Sequence, residues 1–158
     1  MQIRFIKESP EFYRLECVRA DGSKTAASLE FRSHLKHDLM HFVVERAANL
    51  QDSFFGLVKG GKELTNLSPK ALRESGAVLP AEGQTTEIIV GALHGPFKPE
   101  TDFREVCSKI REYLTLMSLA VPSYLTPEFC ERAAAEHRSL LGRWGQLRGE
   151  EYLEFSFP

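Results

Sequence analysis

The segment from His34 to Glu45 reads HLKHDLMHFVVE and puts three imidazoles and two carboxylates into a dozen residues. Such side chains bind metal ions and move protons. At about 100° per residue, the step of a helix, His37, His41, His34, Glu45 and Asp38 fall within an arc of roughly 100°. Asn49 lies just beyond it. Apolar residues flank this stripe on both sides, with Val44, Met40, Ala47 and Val43 on one and Phe42, Leu35, Leu39 and Leu50 on the other.

Residues four apart on a helix are neighbours. The imidazoles of His37 and His41 can therefore reach one ion at the roughly 2.0–2.1 Å that zinc prefers. Glu45, one turn further on, is the expected carboxylate ligand. A single straight helix rarely closes a site with three successive turns, so a ligand from another segment is expected too. His94, His137, Asp52 and Glu136 are the candidates, with His137 the first choice. Two histidines and a carboxylate with open positions suit zinc, iron or another divalent ion. In the zincin motif HExxH, the Glu after the first His acts as general base through bound water. Asp38 holds that place here, with a side chain one methylene shorter. Asp38 or Glu45 is then the expected catalytic proton acceptor for metal-assisted hydrolysis, and Asp38 could equally orient an imidazole from behind.

Two other readings fit the same stripe. It could be the solvent face of an amphipathic helix, although such faces are usually rich in Lys and Arg and this one has neither. It could also be a buried polar network joining helix to sheet, in which two acids raise the histidine pKa values without any metal.

The run His37-Asp38-Leu39-Met40-His41 resembles the HDxxH core of the zinc-binding motif in the ubiquinone-biosynthesis scaffold proteins. That motif closes with a Glu where this chain has Ser53, with Asp52 one residue earlier, and that family is largely helical. The likeness spans those five of 158 residues and no function follows from it.

Positioning the stripe is a task for the rest of the chain. Its 158 residues suit one domain, residues 1–158, large enough to bury a core. The composition is that of a globular protein, 42% hydrophobic and 27% charged. A net charge of −2 and the absence of a Lys/Arg cluster speak against a nucleic-acid partner. The longest apolar run, Leu114 to Val121, is broken by Thr115 and Ser118 and is too short for a bilayer. Met1-Gln2-Ile3-Arg4 lacks the apolar core of a signal peptide. Cys17, Cys107 and Cys130 form no CxxC pair and read as reduced core thiols, so a cytoplasmic location is expected.

Gln2 to Lys7 and Phe12 to Ala20 alternate apolar with polar residues, and Asp21-Gly22 signals a hairpin to a return strand at Lys24 to Glu30. Phe54, Phe55, Leu57 and Val58 predict a short helix ended by Gly60-Gly61. Ser68-Pro69 opens another, closed by Gly76. Thr85 to Leu93 reads as strand by propensity and as helix by spacing, with helix preferred. Thr101 is expected to cap a helix from Asp102 to Leu119. Thr126-Pro127 opens one to about Leu147. Tyr152 to Phe157 predicts a last strand, able to pair with the N-terminal ones. The expected fold class is α+β, an antiparallel sheet of about four strands, three N-terminal and one C-terminal, with helices packed on one face.

Other motifs add little. His94 falls at a helix end, where an imidazole suits the dipole. GxSxG is absent. Gly56 to Gly61 followed by Lys62 misses the Walker spacing, because Glu63 stands where Ser or Thr belongs. The expectation is a metal-binding α+β protein with a small-molecule substrate, or else a non-catalytic module that binds a partner protein. Exposed aromatics at Phe54-Phe55 and a free edge at Tyr152 to Phe157 could pair it with a second copy.

Overall fold

Alternation along the strands decides which face of the sheet meets the helices. In β1 (Gln2–Lys7) Ile3 and Phe5 are buried, and in β2 (Phe12–Val18) Tyr13, Leu15 and Cys17 are. Successive strand residues point to opposite faces, so these five side chains share one face. The opposite face carries Arg4, directly across from Glu16 on β2 and Glu154 on β4 (Tyr152–Ser156), and ion-paired with both. With β3 (Lys24–Glu30), the strands form an antiparallel sheet in the order β3-β2-β1-β4. The computed structural model describes residues 1–158 apart from the side chain of Ser33.

The first and last strands therefore lie side by side, with Phe5 opposite both Leu15 and Leu153. Six helices follow β3 and precede β4: α1 (Phe31–Ala48), α2 (Phe54–Lys59), α3 (Pro69–Ser75), α4 (Ala81–Leu93), α5 (Phe103–Leu116) and α6 (Pro127–Gln146). Four antiparallel strands, three N-terminal and one C-terminal, together with these helices make the fold α+β, as expected. None of the helices among the described residues is long and apolar enough to cross a membrane.

α1 is the central helix, packed against α2, α4, α6 and the inner face of the sheet. Leu35, Leu39, Met40, Phe42, Val43 and Val44 are all buried, with Phe42 stacked on Phe155 of β4 at 4.4 Å between centroids. It ends at Asn49, whose φ of 53° is left-handed, a conformation Asn tolerates better than most residues. The chain then turns back through Leu50, whose N–H donates to the Glu45 carbonyl, and leads into α2.

Local signals place most helix ends. Ser68 and Thr126 each accept a hydrogen bond from an amide in the first turn, of Ala71 and Phe129 respectively. Gly76 closes α3 at a φ of 68°. α5 departs from expectation at both ends. Asp102 is its cap, accepting from the Arg104 amide, because the Thr101 hydroxyl accepts instead from the Lys98 amide. The helix stops at Leu116, since Ser118 turns left-handed at a φ of 57°. Thr85 to Leu93 is helical, as its spacing favoured, and belongs to α4. The three cysteines are free thiols and all buried.

Candidate metal centre

Most of the polar stripe of α1 is turned inward. His41 is 2% exposed, Asp38 7% and Glu45 not at all. His34, at the start of the stripe, is exposed and takes no part in the cluster below. α4 packs over the stripe and brings Glu87 to it. Glu87 Oε1 lies 3.3 Å from His41 Nε2, and Oε2 lies 3.5 Å from His37 Nε2. The two rings stand edge to face, 4.6 Å between centroids. One donor atom from each of His37, His41 and Glu87 lies within 4.8 Å of the other two, so the three residues could hold a metal ion.

The two imidazole–carboxylate separations are close to the spacing of zinc ligands. Two ligands each about 2.0–2.1 Å from a zinc ion stand about 3.3–3.4 Å apart at the tetrahedral angle. His41 Nε2 is also a buried polar atom without a hydrogen-bond partner: Glu87 is close to it but not aligned. A buried ring nitrogen left so is costly. His37 and Glu87 keep 33% and 41% of their side chains exposed, which leaves the cluster open on one side.

Each imidazole has a carboxylate behind it. His41 Nδ1 lies 2.9 Å from Glu45 Oε1, and His37 Nδ1 lies 3.6 Å from Asp38 Oδ1. Both carboxylates are anchored in turn. The amides of Phe55 and Gly56 donate to Glu45 Oε2 at 2.8 and 3.3 Å. The Tyr13 hydroxyl donates to Asp38 Oδ2 at 2.5 Å. Glu45 thus caps α2 from outside, since Ser53, in the N-cap position, makes no capping bond with its own side chain. Gly56 lets α2 lie close against the Gln51 backbone. A Cβ there would overlap the Gln51 carbonyl and stand 2.7 Å from its Cα.

The charges follow from these neighbours. Burial pulls the His41 pKa down, but the Glu45 and Glu87 carboxylates more than reverse this and raise it to about 10. His37 is raised in the same manner, burial being outweighed by Asp38 and Glu87. Burial alone would push Glu87 up; the two imidazoles instead hold it well below the ordinary carboxylate range. Burial, with Asp38 close by, pushes the Tyr13 phenol far up, so it stays a hydrogen-bond donor.

Glu45, expected as a ligand, lies on the opposite side of the His41 ring from the convergence point, which Glu87 occupies. None of the four outside candidates belongs to this group of ligand atoms. His137 Nε2 lies 2.8 Å from the Lys36 carbonyl, and its pKa is lowered, chiefly by burial. His94 caps α4, its Nδ1 3.1 Å from the Val90 carbonyl, with its ring 5.9 Å from that of His37. Glu136 pairs with Arg46. Asp52 is exposed, and its amide donates to Glu82. In the Gly56–Lys62 segment the Val58 and Lys62 carbonyls accept from the Arg19 guanidinium. Glu87 is not among the residues expected from the sequence; it reaches the rings only through the packing of α4 on α1.

Fold and site together define an α+β chain in which a central helix and one neighbour form a two-histidine, one-carboxylate cluster. No family model, curated protein or solved structure matches the chain.

Proposed function

We propose that this protein binds one divalent transition-metal ion through His37 Nε2, His41 Nε2 and Glu87. The observation that carries the reading is the His41 ring: buried, held at Nδ1 by Glu45, with an Nε2 that makes no hydrogen bond and lies 3.3 Å from Glu87 Oε1. A carboxylate that accepts from Nδ1–H fixes the tautomer which leaves Nε2 free to coordinate, and it raises the ring's basicity. Two imidazoles and one carboxylate suit zinc or iron(II).

When bound, such an ion supplies Lewis acidity and a water of lowered pKa, which makes metal-assisted hydrolysis of a small molecule the reaction class. The chain's own contributions are narrower. Three side chains hold the ion, and the partial exposure of His37 and Glu87 keeps one side of it accessible from solvent. Asp38 and Glu45, expected as catalytic proton acceptors, suit the task of orienting the rings, because their oxygens are already engaged.

A second reading rests on the closeness of Glu87 to both rings: a metal-free ion network in which protonated imidazoles pair with three carboxylates and lock α1 to α4. Metal analysis of protein purified without a His tag separates the two. One equivalent of metal is expected, lost in the His37→Ala, His41→Ala double variant and weakened at least tenfold in Glu87→Ala. Metal-free protein that stays so when dialysed against zinc, cobalt(II) and iron(II) would overturn the metal reading in favour of the network.

A further inference from the structure

We infer that Tyr13, a residue of the sheet core, positions the metal ligand His37 by holding Asp38, and so sets metal affinity from the far side of α1. The inference rests on the metal reading above.

Asp38 and His37 are consecutive on a helix, and consecutive helical residues point about 100° apart and do not face each other. Left to itself the Asp38 carboxylate has no reason to lie behind the His37 ring. It does so, with Oδ1 3.6 Å from Nδ1, while its other oxygen takes the Tyr13 hydroxyl at 2.5 Å. The phenol can act as a fixed post. Tyr13 is fully buried, in register with Lys7 and Leu29 on the flanking strands, and its ring packs 6.3 Å from Phe5 and 6.1 Å from Trp144.

The two histidines are supported alike by different parts of the fold. Glu45 stands behind His41 and is pinned by backbone amides of α2; Asp38 stands behind His37 and is pinned by a hydroxyl of β2. A hydroxyl can be removed by mutation where an amide cannot. Loss of such an outer partner lowers metal affinity about 10- to 100-fold. His37 is also the looser of the two, its carboxylate at 3.6 Å against 2.9 Å for His41. The orientation of Asp38 therefore matters most at His37.

The test compares wild type, Tyr13→Phe, Asp38→Asn and the core control Ile3→Val. Zinc affinity is measured by competition with a chromophoric chelator, and the cobalt(II) absorption spectrum is recorded for each. Tyr13→Phe and Asp38→Asn are expected to weaken zinc about 10- to 100-fold and to alter the cobalt spectrum. Ile3→Val, which loosens the same core without touching Asp38, is expected to change neither. Wild-type zinc affinity and spectrum in Tyr13→Phe, with the wild type itself binding metal, would overturn the role of Tyr13 and leave the metal reading standing. Absence of zinc and cobalt binding in the wild type would overturn both. Should Tyr13→Phe fail to fold, Asp38→Asn keeps an oxygen for the Tyr13 hydroxyl, and its affinity decides the matter alone.

Discussion

Glu45 and His41 are joined across one turn of α1 by a 2.9 Å contact between Oε1 and Nδ1, and the carboxylate has no exposure to solvent. A buried carboxylate is tolerated only when paired and hydrogen-bonded. Here the imidazole takes one oxygen and two amides of α2 take the other, so a single side chain secures a ring of the candidate centre and the start of the next helix.

Glu45→Ala is therefore expected to destabilise the protein by about 3–5 kcal/mol, the cost of breaking a buried charged pair. Urea denaturation monitored by circular dichroism measures it. A loss below about 1 kcal/mol would show that Glu45 is not the cap of α2.

Two glycines should respond in opposite directions. Gly56→Ala places a methyl against the Gln51 backbone and pushes α2 off Glu45, at a cost of about 3 kcal/mol or more. Gly91, exposed on α4 with open space where a Cβ would stand, should gain about 0.5–1 kcal/mol as Ala from helix propensity. Equal melting shifts in the two variants would contradict the close approach of α2 to Gln51.

Metal-free protein should be most stable near pH 6.5. The stabilisation from protonated His41 is complete below its unfolded pKa of about 6.5 and is lost as pH rises through about 10. His37, raised in the same direction, adds to that loss. Below pH 6.5 the neutral buried His137 must charge, and Glu87, held low in the fold, gives up its share as pH falls below about 4.5, so stability declines on that side too. Denaturation midpoints from pH 4 to 10 trace the curve. Because a metal ion displaces the His41 proton, loading at pH 7.5 should release protons, read by calorimetry in buffers of different ionisation enthalpy. A plateau from pH 7 to 10 without metal would contradict the raised His41.

His137→Ala should separate stability from metal binding. Its ring nitrogen pairs with the Lys36 carbonyl and faces no ligand atom of the cluster, so metal stoichiometry should hold while stability falls by about 1–3 kcal/mol. Loss of metal at unchanged stability would make His137 a ligand.

Local chemistry in the sequence determined the strands, most helix ends and the pairing of His37 with His41, because alternation, capping and the i, i+4 spacing act over a few residues. Asp21-Gly22 made the β2–β3 hairpin legible, and Ser68 and Thr126 the starts of α3 and α6. Thr101 misled because two neighbouring residues could each cap, and a bond to Lys98 decided between them. Only tertiary structure decided what stands before and behind the imidazoles. Glu87 reaches them because α4 packs on α1, and Asp38 turns to His37 because a strand tyrosine holds it. Glu45 stands behind His41, on the Nδ1 side of the ring, because two amides of α2, a segment the helix pattern does not describe, take its second oxygen. Periodicity states which residues share a helix face; which neighbour that face meets depends on packing between segments distant in the chain, and no local pattern encodes it.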